Sequence, residues 1–184
     1  MNSRKVAVVG IFGALAFLLT FIEFPIIPLL PFLKFDPSDC MVFLVTLIYG
    51  FFPGLFTLLI KNFLFIFRSG EGGLIGILMN ILAGTVFIFF LTTLRKLKIN
   101  VWVNYIISSL ITGVVAFLLN YYIAIPIFTN QPTLQFVQNI GISVQIFFYL
   151  VLLFNFIKFF TNSFVSHLLV KKTRIENFIK EKAK

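Results

Sequence analysis

The sequence predicts an all-α integral membrane bundle of six transmembrane helices with a structured apolar first extracellular loop. Three observations carry that reading. Of the 184 residues, 60% are hydrophobic and only 11% charged, whereas a soluble domain carries about 25% charged residues. The apolar residues fall in long runs, joined by short connections, and a membrane span takes roughly 20 residues. The cations are grouped: Arg4 and Lys5 at the start, Arg95, Lys96 and Lys98 in one connection, and Lys171, Lys172, Arg174, Lys180, Lys182 and Lys184 in the tail. The positive-inside rule puts Lys and Arg in such places. The net charge of +9 therefore reads as topology with some attraction to anionic lipid, and not as a nucleic-acid surface. One membrane domain, residues 1–184, is expected, with no room for a soluble second domain.

Span 1 runs from about Val6 to Ile22. No small-residue cleavage site precedes Glu23, so it is read as retained. Gly10 and Ala14, four apart, form a small-xxx-small notch that another helix backbone could approach, which fits internal packing and docking on a partner equally. Residues 23–39 hold Pro25, Pro28, Pro31 and Pro37, a density that blocks a continuous helix. Ile26, Ile27, Leu29, Leu30, Phe32 and Leu33 make the segment too apolar for a solvated linker. It is expected to be a structured loop at the membrane surface. Asp36-Pro37-Ser38-Asp39 reads as a helix start, with an Asp N-cap, Pro at the first position and Asp39 near the positive end of the dipole.

Span 2, about 37–49, ends at the Gly50-Phe51-Phe52-Pro53-Gly54 turn. Span 3, about 53–67, contains Lys61-Asn62. The polar loop 68–73 lacks the Lys-Ser/Thr ending of a phosphate-binding loop, so no nucleotide site is expected there. Span 4, about 74–94, contains Asn80. Trp102 is a candidate interfacial anchor at the start of span 5, about 101–128, which carries Asn120 in its second half. Span 6, about 140–170, precedes the basic tail 171–184. The halves lack the matched broken helices of inverted-repeat transporters.

Six spans put both termini on one side. Eleven of the fifteen Lys and Arg then share that side, which is read as the cytoplasm. Helical rise of about 1.5 Å per residue gives rough depths below the outer surface: about 9 Å for Lys61 and Asn80, 12 Å for Asn120, 14 Å for Asn155 and 18 Å for Lys158. The five polar residues thus gather in the outer half, where interhelical glue alone would have no reason to collect. Asn155 and Lys158 also share a helix face with Asn162 and Ser166, and an ammonium at mid-bilayer costs on the order of 3 kcal/mol. A pocket open to the outside, with the proline loop as its lid, accounts for the clustering. The three amides offer donors and acceptors together and the lysines charge-assisted donors, as a polar heterocycle or polyol requires.

Other chemistry finds little support. His167 lacks a second ligand at metal spacing, so no metal is expected. There is no Ser-His-Asp order, zinc signature or pair of carboxylates recognisable within the spans, so no catalytic residue is named and no enzyme activity expected. The lone Cys40 permits no internal disulfide. The 27 Phe are read as codon bias and lipid-facing bulk.

Several stretches in order resemble the riboflavin-binding S components of energy-coupling factor (ECF) vitamin transporters. They are Leu33-Lys34-Phe35-Asp36-Pro37-Ser38-Asp39, Tyr49-Gly50-Phe51-Phe52-Pro53-Gly54, Lys61-Asn62, Gly72-Gly73 with Gly76 and Asn80, Leu119-Asn120-Tyr121-Tyr122 with Ile125-Pro126-Ile127, and Phe154-Asn155-Phe156-Ile157-Lys158. The resemblance implies a six-helix bundle of a prokaryotic plasma membrane that binds riboflavin from outside under its first loop. It has Asn155 and Lys158 on the polar edge of the flavin ring and Asn120 nearby, and with Asn80, Lys61 and the loop residues Phe32 and Lys34 they form the expected substrate-binding set. Span 1 corresponds to the family's alanine motif for docking on the transmembrane T component, through which two ABC ATPases act; here Gly10 holds its first position and Ala14 follows. Riboflavin is then cargo, with no cofactor. Alternatives are an S component for another vitamin, an ion-coupled secondary transporter, which should carry an intramembrane carboxylate, or a structural membrane protein, which leaves the polar clustering unexplained.

Overall fold

A computed structural model describes residues 2–68 and 73–173. The loop positions 69–72, with Gly72 of the resemblance, and the basic tail from 174 onward lie outside the described residues. In a bilayer interior every backbone N–H and C=O must be satisfied within the protein, which the helix does segment by segment. The apolar runs obey: α1 is Ser3–Leu19, α2 Asp39–Tyr49, α3 Phe51–Phe65, α4 Gly73–Lys96, α5 Val101–Leu119, α6 Ile125–Thr129, α7 Thr133–Asn139 and α8 Val144–Thr173. A π turn, Asn120–Ala124, joins α5 to α6, so that they form one continuous helix. Counted that way, the described residues hold seven helices. Three are long and apolar enough to cross a membrane by length and composition: Gly73–Lys96, Val101–Thr129 and Val144–Lys172.

The π turn has a local cause. Pro126 has no N–H to give, and a proline ring crowds the carbonyl four residues before it, here that of Tyr122. The widened turn spans that carbonyl. The seventh helix, α7, fills the stretch between expected spans 5 and 6, and the last long helix begins at Val144 rather than at about residue 140. Helix α7 follows Pro132, and Thr133 fastens it by donating its hydroxyl hydrogen to Tyr121 O. Gly141, at φ +76°, then turns the chain into α8.

The proline loop closes on itself. Phe24–Pro25 (β1) and Lys34–Phe35 (β2) pair antiparallel, Phe24 opposite Phe35 and Pro25 opposite Lys34. That ladder was not expected from the sequence. It turns residues 26–33 into a flap whose Leu30 and Leu33 join Ala116, Ile125, Val137, Phe147, Val151 and Phe154 in one apolar cluster. A second cluster is built on Phe43, Phe87 and Phe159, whose ring centroids lie 4.5 to 6.0 Å apart.

Helix α5 packs along α4 and α8, α1 along α3, and α2 on α3 and α8. The α1–α3 approach depends on Gly13, where an added methyl would lie 2.6 Å from Ile60 Cγ2. Gly50, at φ +90°, makes the sharp link from α2 to α3 that a side chain would strain.

Candidate functional site

Between the two apolar clusters lies a cavity of about 480 Å³, within the roughly 300–1,000 Å³ of small-molecule sites. Its walls come from the end of α1, the flap, the first turns of α4, the π turn with α6, and the middle of α8. It lies at the flap end of the bundle, away from the Arg95, Lys96 and Lys98 connection.

Six of the seven expected substrate-binding residues line it: Phe32, Lys34, Asn80, Asn120, Asn155 and Lys158. Asn155 Nδ2 donates to Val151 O at 2.8 Å, and Asn120 Nδ2 to Ala116 O at 2.8 Å. One hydrogen of each amide is thus held by its own helix, which leaves the carbonyl oxygen as the acceptor a ligand can use. Asn120 is also the first residue of the π turn. Asn80 forms no side-chain hydrogen bond among the described residues.

Lys61 is the exception. It is fully buried and outside the cavity lining, with Nζ 2.6 Å from Asp39 Oδ1 and donating to Ser38 Oγ at 3.0 Å. Its depth had suggested a ligand contact; the start of α2, folded against α3, gives the ammonium its partners instead.

Lys158 has carboxylate partners that its sequence neighbourhood hides. Its Nζ donates to Asp36 Oδ2 at 2.9 Å, across 122 residues of chain, and stands 3.5 Å from Asp39 Oδ2. Asp39 Oδ2 has no hydrogen-bond partner among the described residues. The expected Asp36 cap is corrected here: α2 starts at Asp39 with Ser38 as its N-cap and no side-chain cap bond, and Asp36, two residues before Ser38, accepts from the Ser38 backbone N–H at 3.0 Å and from the Ser38 hydroxyl. Asn162 Nδ2 donates to Asp36 O at 3.1 Å and Ser166 Oγ to Cys40 O at 2.6 Å. The polar face of α8 is therefore sewn to the start of α2. Two lysines and two aspartates form a buried set of zero net charge, and removing one partner of a buried pair is far more costly than the pair is stabilising. Asp36 and Asp39, read from the sequence as helix-start residues, are buried and each faces a lysine, and Asp36 lines the cavity.

The flap is also anchored by charge. Glu23 lies 2.9 Å from the Arg68 guanidinium and 3.5 Å from Lys34 Nζ. Arg68 donates to Thr20 O and sits over the Phe21 and Phe65 rings at 4.8 and 5.3 Å. Sequence reasoning passed over Glu23, although it is one of only six acidic residues and begins the proline segment. Among the described residues no group of three metal-ligating side chains comes together.

Gly10 and Ala14 lie apart from the cavity. Ala14 is exposed and Gly10 half-buried, and an added methyl at Gly10 would meet nothing within 4 Å. The small face is open on the outside of α1, while Gly13 takes the internal packing.

Comparison with known proteins follows the same lines. The family described as ECF transporter, substrate-specific component, matches residues 4–170. A Staphylococcus aureus protein named riboflavin transporter RibU is 31% identical over 183 residues, covering 97% of this chain and 94% of its own. The Streptococcus thermophilus protein of the same name is 32% identical over 152 residues, 79% of this chain and 72% of its own. A solved structure of the S component of a bacterial ECF transporter superposes with a TM-score of 0.79 at 30% identity, covering 98% of this chain and 99% of that one.

Proposed function

This chain belongs to the ECF transporter substrate-specific component family, and from that premise we propose that it captures riboflavin from outside the cell and delivers it to the energising module of the transporter. The observation that carries the reading is the cavity under the flap, lined by Asn80, Asn120, Asn155 and Lys158, in a chain that matches one protein named a riboflavin transporter along 97% of its length and another along 79%. A flavin has an imide N–H flanked by carbonyls, on an apolar ring system that carries a polyol. Free amide oxygens at Asn120 and Asn155 suit the N–H and hydroxyl donors, the Lys158 ammonium suits a carbonyl, and Phe32, Phe128, Phe136 and Phe154 suit the rings.

Within this reading six helices span the bilayer as a single domain, with both termini in the cytoplasm. The open Gly10–Ala14 face docks on the T component, and through it the chain is served by two ABC ATPases. ATP hydrolysis belongs to those partners. The flap, pinned at Glu23, closes the cavity from outside.

The test is the absorption spectrum of detergent-purified protein expressed without added vitamin, with chromatography of what heat releases. A yellow preparation yielding about one riboflavin per chain supports the reading. A colourless one that also leaves the fluorescence of added riboflavin unquenched rejects it.

A further inference from the structure

The opposite end of the bundle holds a second cavity, of about 200 Å³, between α2, α4, α5 and α8. Its lining divides by chemistry. Arg95, His167 and Lys171 supply cationic or hydrogen-bonding groups, while Leu47, Val101 and Val170 supply apolar wall. The polar half is braced: Arg95 donates to Leu47 O, the Tyr105 hydroxyl lies 3.2 Å from His167 Nδ1, and the Trp102 and His167 ring centroids are 5.2 Å apart.

The charge at this end is uncompensated within the described residues. Arg95 and Lys171 are exposed and neither forms an ion pair there. The described carboxylates, Glu23, Asp36 and Asp39, are all engaged at the flap end. Beside the cavity, Leu97, Trp102 and Leu168 are 66, 41 and 47% exposed, so the basic pocket runs onto the apolar flank of the bundle. A free anion would use only the basic half. A molecule carrying a negative headgroup on apolar chains would use both, and basic pockets between membrane helices take such headgroups.

We infer that this cavity binds the phosphate-bearing headgroup of an anionic phospholipid, with its acyl chains along the Leu97–Trp102 flank. The inference rests on the chain's being a membrane protein and not on which vitamin the larger cavity takes. It is tested on the full chain, purified in detergent and stripped of lipid, by thermal unfolding without vitamin.

Phosphatidylglycerol should raise the melting temperature saturably and phosphatidylcholine should not. Arg95→Gln and Lys171→Gln should each weaken the apparent lipid affinity about five-fold, and Lys5→Gln, at the same end but outside the cavity, should not. Lys171 makes no hydrogen bond or ion pair among the described residues, so its substitution leaves the fold intact even if Arg95→Gln disturbs the contact to Leu47. An equal response to phosphatidylcholine, an unchanged response in Lys171→Gln, or the full effect from inorganic phosphate alone would each overturn the inference. Riboflavin titration of the same variants reads the other cavity separately.

Discussion

Lys61 and Lys158 are both buried, at 0 and 8% exposure, yet only Lys158 reaches the cavity. Asn155→Ala removes an amide whose bond is to its own helix, so it should weaken riboflavin binding about five- to ten-fold, roughly 1 to 1.5 kcal/mol, with little change in melting temperature. Lys158→Ala should cost more affinity, on the order of 1.5–3 kcal/mol for a charge-assisted bond, and also some stability, because Asp36 loses its counter-ion. Fluorescence titration of both variants checks this, and unchanged affinity in both would sink the site assignment. Lys61→Met should act on stability, by roughly 3–5 kcal/mol, and combining it with Asp39→Leu should recover much of that loss; a double variant no better than the worse single would contradict the pairing. The asparagines and Lys158 were legible because polar groups in an apolar run are conspicuous. The partnership was not, since no local pattern links Lys158 to an aspartate 122 residues away. The available signal was scarcity: two lysines within the spans need counter-ions, and Asp36 and Asp39 are the acids beside the apolar body.

Helix α1 presents two small faces with different expected sensitivities. Gly13→Leu should destabilise the bundle, because an added side chain meets Ile60, and overpacking typically costs 1–3 kcal/mol. A Cβ added at Gly10 meets nothing within 4 Å and Ala14 beside it is exposed, so Gly10→Leu should leave melting temperature and riboflavin affinity unchanged while lowering uptake by the assembled transporter; normal uptake would remove the docking assignment. Element positions were largely readable from apolar run length and from punctuation such as Gly50 and Pro53. The misses share a cause. The β1–β2 ladder is two residues long, and α7 is seven residues between Pro132 and Gly141, so neither provides enough periods to rise above its neighbours in sequence. Both are fixed by tertiary contacts, through Leu30 and Leu33 for the flap and through Val137 for α7.

The described residues are distributed asymmetrically, with paired charges around the flap and, among them, cations without ion-pair partners at the other end. That asymmetry predicts that reporter tags at the two termini are both protected from protease in intact cells and both cleaved after lysis; protection of one alone would refute an even number of spans. The buried set of Asp36, Asp39, Lys61 and Lys158 also has a history within each molecule. At synthesis rates of about 5–20 residues per second, Lys158 emerges from the ribosome on the order of 6 to 24 seconds after Asp36, across the 122 residues that separate them. During that interval one carboxylate must wait without its counter-ion. A chain halted before Val144 would lack Lys158 altogether, so this ion pair closes only once most of the last helix has been made.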